Sequence, residues 1–371
     1  MSKKRIFILC GEASGELHAA NLVHAWKSKN AHDEFQAWGG DRLASEGVEI
    51  KKHIRDLAFM GFLEVILNLP TILRNFKRCK ADITAFQTDV LLLVDYPGFN
   101  LRMAKWAKRK GLKVIYYISP TVWAWKENRI HQIKRDVDRM YTILPFEPAF
   151  YRKFDMEVFY FGHPLLDEIQ RFKQGGEAKL SLKSDKPILA LLPGSRRQEL
   201  KKKLPLMLKA AEAFKETHQV IIACAPNLPI SFYKEFQLSD HVSLIQNQTY
   251  QLLSQANLAL VTSGTATLET ALFRVPQVVC YKSSFLSYRI AKALVKIKFI
   301  SLVNLIMDKE LVRELIQDEC SSELMVLELR KIAEGQAARN ELLEEYEQLI
   351  QLLGQNGCSD KMAEDLIQYV H

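Results

Sequence analysis

Short runs of β-branched and aliphatic residues recur along the chain, and nearly every one stops at Gly, Ser, Asp or Pro. In the first half they cover residues 5–10, 36–38, 90–95, 113–119, 140–144 and 158–161. In the second half they cover 188–192, 220–224, 242–245, 258–262 and 278–281. The runs are almost wholly apolar and do not alternate, so each predicts a strand covered on both faces. Helical spacing separates most of them, and strands alternating with helices build parallel sheets. The expected fold class is α/β, with two Rossmann-like doubly wound domains facing a cleft. Ligands of such sheets bind beyond the carboxyl ends of the strands.

One stretch breaks the rhythm. Residues 171–186 are polar, contain Gly175-Gly176 and show no apolar period, which marks a linker. The expected organisation is a first domain over 1–170, the linker, a second domain over 187–345 and a helical tail over 346–371. Residues 323–353, rich in Glu, Leu and Ala, read as helix. A length of 371 residues also suits two cores better than one.

A composition of 48% hydrophobic and 25% charged residues is that of a globular protein and excludes a disordered chain. The net charge of +8 favours anionic partners: nucleic acid, phosphorylated substrates or an anionic membrane face. The six cysteines form no CxxC pair, and several sit inside apolar runs, so they read as reduced core thiols. The opening Met-Ser-Lys-Lys-Arg mimics a signal peptide, but the apolar part ends at Cys10, so a first strand is the better reading. The longest apolar stretch, 57–69, contains Glu64 and Asn68 and is too short to span a bilayer.

Five segments carry chemistry. Gly11-Glu12-Ala13-Ser14-Gly15-Glu16 follows the first strand and opens a helix. Two glycines there let backbone approach a ligand, and a helix N-terminus attracts anions. Yet two acidic residues repel a phosphate, and a tight turn with Ser14 or Glu16 capping a helix accounts for the same residues; both readings stay open. Asp95 ends the most apolar strand and precedes Tyr96-Pro97-Gly98-Phe99-Asn100. A carboxylate at that end of a strand suits a general base, and it also suits a helix cap. Ser119-Pro120-Thr121-Val122-Trp123-Ala124-Trp125 follows another strand, and its tryptophans serve either the core or a sugar ring.

Pro193-Gly194-Ser195-Arg196-Arg197 is a glycine turn before a helix, with Arg196 suited to a bidentate grip on phosphate. Thr262-Ser263-Gly264-Thr265-Ala266-Thr267-Leu268-Glu269 puts small residues at a helix start and a carboxylate one turn inside. Glu269 there accepts both hydroxyls of a ribose, or completes a capping box. With the preceding loop, the nucleotide reading is favoured. No metal is expected, since the histidines are scattered and no DxD or HExxH pattern occurs. Nor is a cofactor expected; Arg196 and helix termini would neutralise a donor diphosphate. Two basic amphipathic stretches, 59–80 and 284–300, suit an anionic bilayer surface, or are half-buried helices with solvated faces.

Together these segments resemble the lipid-A-disaccharide synthases. The matching motifs are Gly11–Glu16, Met60-Gly61-Phe62-Leu63-Glu64-Val65, Asp95–Asn100, Ser119–Trp125, Phe146-Glu147-Pro148-Ala149-Phe150-Tyr151, Phe161-Gly162-His163-Pro164, Leu192–Arg196, Ser263–Glu269, and Asn304-Leu305 followed by 310–317. They span nearly the whole chain in the family's order. The resemblance implies an inverting, metal-independent glycosyltransferase of the two-Rossmann-domain type. Its donor would be UDP-2,3-diacylglucosamine and its acceptor 2,3-diacylglucosamine 1-phosphate, with the acceptor's 6-hydroxyl attacking the anomeric carbon to give a β-1,6 disaccharide and UDP.

Carried over, the resemblance makes Asp95 the essential carboxylate and Glu12 a second one. Ser14 and Trp123 join the substrate-binding set. Ser195 and Arg196 grip the diphosphate, Gly264 and Thr265 open the nucleotide loop, Glu269 takes the ribose, and Asn304 and Gln317 add donor-side contacts. The family often carries a second acid where Gly98 stands here, and often Asp where Glu16 stands. The implied place is the cytosolic face of the inner membrane, bound peripherally; whether the chain acts as a homodimer stays open.

Two rival readings remain. A muramyl-pathway N-acetylglucosaminyltransferase or a UDP-sugar epimerase would share the nucleotide loops but not need the apolar-basic stretches. A non-catalytic binder of anionic lipid or nucleic acid would suit the charge, but no RRM, KH or helix-turn-helix signature occurs, and no nucleic-acid partner is expected.

Overall fold

In the computed structural model, which describes residues 3–57, 69–176, 179–180, 184–284, 288–289, 292 and 297–371, the chain divides into two compact units. The first takes residues 1–167 with 354–371, the second 168–353.

The first unit runs β1 (Arg5–Cys10), α1 (Ala13–Lys29), β2 (Glu34–Gly39), α2 (Asp41–Ser45), β3 (Glu49–His53), α3 (Leu69–Ala85), β4 (Val90–Val94), α4 (Pro97–Arg109), β5 (Lys113–Tyr117), α5 (Val122–Trp125), α6 (Arg129–Asp136), β6 (Arg139–Tyr141) and α7 (Glu147–Arg152). The strands form one parallel sheet in the order β3-β2-β1-β4-β5-β6. The order reverses between β1 and β4, which opens a crevice at their carboxyl ends. Leu91 and Leu93 pack on one face of the sheet and Val90, Leu92 and Val94 on the other. That two-sided burial is why the strand is wholly apolar.

Helix α8 (Leu165–Gln174) leads into the second unit, which continues with β7 (Ile188–Leu192), α9 (Arg197–Ala211), β8 (Gln219–Cys224), α10 (Ile230–Lys234), β9 (Val242–Gln246), α11 (Thr249–Leu253), β10 (Ala256–Thr262), α12 (Thr265–Leu272), β11 (Gln277–Tyr281), α13 (Leu302–Met307), β12 (Glu314–Ile316), α14 (Ser322–Lys331) and α15 (Ala337–Leu352). Its parallel sheet has the order β12-β11-β10-β7-β8-β9, with the reversal between β7 and β10.

The last helix, α16 (Cys358–Val370), returns to the first unit. Met362, Ala363, Leu366 and Val370 pack into the core formed by α1 and one face of the first sheet. The return is pinned by Asp167, whose carboxylate accepts the N–H groups of Gly357 (2.6 Å) and Ser359 (3.0 Å) and so satisfies the open helix start. Covered by the sheet on one side and α16 on the other, α1 is buried nearly all round, from Ala19 to Trp26.

Several details depart from the sequence reading. Residues 158–161 are not a strand; they make a single bridge, Tyr141 to Phe159. Two strands escaped notice. β3 (EIKKH) is an edge strand, half-buried apart from the exposed Glu49, and β12 spans only the three residues Glu314–Ile316. The region 323–353 is two helices, α14 and α15, broken over 332–336. Residues 171–174, at the start of the polar stretch, complete α8. All six cysteines are free and buried. Among the described residues no helix is long and apolar enough to cross a membrane. All of 59–68 and most of 285–296 lie outside the described residues. The described part of the first basic stretch is α3, where Leu73 is 58% exposed and Arg74 and Lys77 are exposed beside it.

Candidate active site

The crevice of the first sheet is built by the turns after β1 and β4. Tyr96 lies so closely over Gly11 that a Cβ there would stand 2.2 Å from its ring, so glycine is required. A Cβ on Gly15 would sit 3.7 Å from Asp95 Cβ, which shows how tightly the first turn of α1 rests on the β4 turn. Asp95 and Tyr96 both adopt left-handed backbone, φ 48° and 49°. Two such non-glycine residues in succession are strained and need support from their surroundings. That support is present. The Asp95 N–H donates to Tyr117 O (3.0 Å), and the Asp95 carbonyl accepts from Tyr116 Oη (2.6 Å) and Asn100 Nδ2 (2.8 Å).

Held this way, the Asp95 side chain is half-buried at the strand end. Burial first, and then the negative charge of Glu12, raise its carboxyl from the usual carboxylate range to about 6. Glu12 sits at the N-cap position of α1 in extended backbone, but its side chain makes no cap bond to that helix. Glu16, which sequence offered as a cap, does cap a helix, but a different one: its carboxylate accepts the N–H groups of Arg42 (2.9 Å) and Leu43 (3.2 Å) at the start of α2. Ser14 is exposed in the first turn of α1.

Trp123 is half-buried and edge-on to Phe146, with ring centroids 5.0 Å apart, and its indole N–H donates to Glu147 (3.3 Å). Glu147 also accepts from the backbone N–H of Leu144 (3.0 Å) and is fully buried, which lifts its carboxyl to about 7. Sequence reasoning missed Glu147, Tyr116 and Asn100 as supports. The one available signal was the acid within Phe146-Glu147-Pro148, where an apolar strand end has no other reason for a charge.

In the second unit, the turns after β7 and β10 stand side by side because those strands pair. A Cβ on Gly194 would lie 3.3 Å from Thr262, and Gly194 has φ 101°, open to glycine. Arg196 is the N-cap residue of α9 and is exposed, and its Nη1 donates to Glu199 (3.2 Å). Behind it, Lys203, only 1% exposed, lies 3.5 Å from the other oxygen of Glu199. The exposed Ser195 offers its carbonyl to Asn227 Nδ2 (3.1 Å). The chain thus sets a helix start and a cationic fork at the reversal point, the usual cradle for a diphosphate.

Gly264 precedes α12 without a side-chain cap, and Thr265 is exposed at its first position. Glu269 is not a capping-box partner; its carboxylate accepts from Tyr250 Oη (3.1 Å), and burial raises its pKa. Ser263 Oγ donates to Ile300 O (2.7 Å).

Asn304 is fully buried and wholly engaged within the protein. It donates to Val312 O and Glu314 and accepts from the N–H groups of Leu311 and Val312, all at 2.8–2.9 Å. Glu314 in turn holds the N–H groups of Ile300 and Ser301. Asn304 therefore shapes the chain around Ser263 through Glu314. Gln317, in left-handed backbone at the end of β12, fixes Ser283 by accepting its N–H (2.8 Å).

A family model described as lipid-A-disaccharide synthetase matches residues 6–368. The chain belongs to that family. Relatives named lipid-A-disaccharide synthase include one from Syntrophus aciditrophicus, 39% identical over 98% of this chain and 97% of its own. Another, from Myxococcus xanthus, is 36% identical over 98% of this chain and 97% of its own. The fold is also that of a kitacinnamycin glycotransferase (TM-score 0.66, 14% identity, full coverage of both chains). A Neisseria meningitidis UDP-GlcNAc 2-epimerase, solved with UDP-GlcNAc, shares it too (TM-score 0.66, 12% identity, 98% of this chain and all of that one). Both sheets are thus Rossmann-like units of the two-domain glycosyltransferase fold, and the family is one of glycosyltransferases that form the lipid A disaccharide. In this family setting, Asp95 with Glu12 and Arg196 with Glu269 stand at the two sheet-reversal points.

Proposed function

We propose that the chain condenses UDP-2,3-diacylglucosamine with 2,3-diacylglucosamine 1-phosphate, giving the β-1,6 disaccharide 1-phosphate and UDP. The observation that carries the reading is Asp95: a carboxyl at the reversal point of the first sheet, raised to about 6 by burial and by Glu12. Such a group is mostly ionised at neutral pH yet basic enough to take a proton, which suits a general base. Asp95 removes the proton of the acceptor's 6-hydroxyl as that oxygen bonds to the anomeric carbon. The bond from the anomeric carbon to the diphosphate breaks, and UDP leaves with the electron pair. Arg196, the N–H groups of the Gly194-Ser195 turn and the start of α12 at Gly264-Thr265 receive the diphosphate charge. Glu269 takes the ribose hydroxyls, and Ser14 and Trp123 face the sugars. No divalent ion is required.

Acylated substrates reside in a membrane leaflet, so the enzyme works as a peripheral protein on the cytosolic face of the inner membrane. Exposed Leu73 with Arg74 and Lys77 on α3 supports such contact. The deciding experiment supplies both acylated sugars and follows the lipid product by mass spectrometry. A disaccharide phosphate formed by wild type and lost in Asp95→Asn supports the reading. No disaccharide from wild type, or UDP release without an acylated acceptor, refutes it.

A further inference from the structure

The segment after β5 holds two cations that find no counter-ion among the described residues. Lys126 follows α5, and Arg129 is the first residue of α6. Among the described residues no carboxylate lies within ion-pair distance of either, although neighbours such as Arg135 and Arg139 each have one. Instead both rest on one indole: Lys126 Nζ lies 4.1 Å and Arg129 Cζ 5.4 Å from the centre of the Trp125 ring. Trp125 itself is 41% exposed, one of the few large apolar side chains left so open among the described residues. The Arg129 N–H donates to the Lys126 carbonyl (3.0 Å), which keeps the two in one turn. Burial and the charge of Arg129 both push the Lys126 ammonium pKa down, so the two cations repel at close range. An arrangement that holds like charges together without a partner is relieved by an anion.

The place is informative as well. The charge of Arg129 acts on Tyr116, whose hydroxyl donates to the Asp95 carbonyl (2.6 Å). The segment also leaves the carboxyl end of β5, which pairs with β4 as far as Val94 and Tyr117, so it lies at the same edge of the sheet as the turn that carries the general base.

We infer that Lys126 and Arg129, steadied on Trp125, bind the phosphate monoester of the acceptor sugar. This rests on the transfer reaction above, in which the donor's diphosphate belongs to Arg196 and the acceptor brings a second phosphate of its own. The guanidinium forks onto two phosphate oxygens and the ammonium supplies a point charge. Gripping the acceptor at its phosphate fixes the far side of the sugar and turns the attacking hydroxyl toward Asp95.

The test uses the full chain in nonionic detergent micelles free of phospholipid, with Lys126→Met, Arg129→Gln and the double variant. Binding of the acylated glucosamine 1-phosphate and of its dephosphorylated counterpart is measured beside UDP affinity. The double variant should bind the phosphorylated acceptor about tenfold or more weakly, bind the phosphate-free one as wild type does, and keep its affinity for UDP. Equal losses for both acceptors would mark a structural role and overturn the assignment. A matching loss of UDP affinity would give the cations to the donor instead. Unchanged acceptor binding, with only sedimentation on anionic vesicles lost, would give them to a lipid headgroup. If wild type itself forms no disaccharide, the transfer reading falls and takes this site with it; if wild type turns over and the variants keep the phosphate preference, only the site falls.

Discussion

Removing the charge of Glu12 should move the acid limb of the pH–rate profile. In the proposed reaction Asp95 works as a base only when ionised, so kcat/KM should fall as pH drops through its pKa of about 6. With that value, about nine-tenths of Asp95 is ionised at pH 7, about half at pH 6 and about one-tenth at pH 5, so the rate at pH 5 is about tenfold below that at pH 7. Two causes hold the pKa up, burial first and Glu12 second. Glu12→Gln removes the second alone. Its limb should therefore move to lower pH without reaching the ordinary 3.8, and at pH 5 it should keep a larger share of its own plateau than wild type does. Asp95→Asn should remove the limb and about 10²–10⁴ of the rate. UDP release is followed in mixed micelles from pH 4.5 to 8 at fixed ionic strength, with far-UV circular dichroism to separate titration from unfolding. A limb that stays put or moves upward in Glu12→Gln would refute the electrostatic account. An Asp95→Asn enzyme with most of its kcat would refute the base.

Arg196→Ala should weaken UDP binding about tenfold or more by calorimetry, with Arg196→Lys restoring only part, because an ammonium lacks the planar fork; activity should persist in EDTA, and strict dependence on added Mg²⁺ would overturn the metal-free scheme. Tyr116→Phe deletes a donor to the Asp95 carbonyl, a bond worth about 1 kcal/mol, and should lower kcat severalfold while UDP affinity holds. His18 and His163 are buried and neutral, with pKa values lowered to about 4 and about 3, whereas the unfolded chain protonates both near 6.5. The unfolded state then binds more protons below 6.5, so stability is complete above that pH and is lost progressively toward pH 3–4. His18→Gln should make the fall of Tm with acidification shallower, and an unchanged slope would count against it.

Much of the architecture was legible because its causes are local. A strand buried on both faces must be apolar throughout, and Val90–Val94 and Ile188–Leu192 are. The turn at Gly194 and the helix start at Arg196 were legible for the same reason, since a glycine turn and a helix start are both marked by neighbouring residues. Edge strands carry no such mark. β3 keeps Lys51 and Lys52 because only part of it is covered, and β12 is only three residues long.

Sequence by itself determined the α/β class, the apolar strands, and the residue types that stand at the ends of β1, β4, β7 and β10. Tertiary structure alone decided what those residues do with their polar atoms. The acids of Gly11–Glu16 divide between two tasks, Glu16 capping α2 across 26 residues while Glu12 raises Asp95. Asn304, a contact residue by resemblance, spends its whole amide on Glu314 and residues 311–312. Helix α16 joins the first unit, although its place in the chain follows the second. The reason is common to all three. Whether a carboxylate or amide is used internally or left for a ligand depends on which N–H and C=O groups other segments bring within about 3 Å, and that is a property of packing at long sequence separation, not of local pattern.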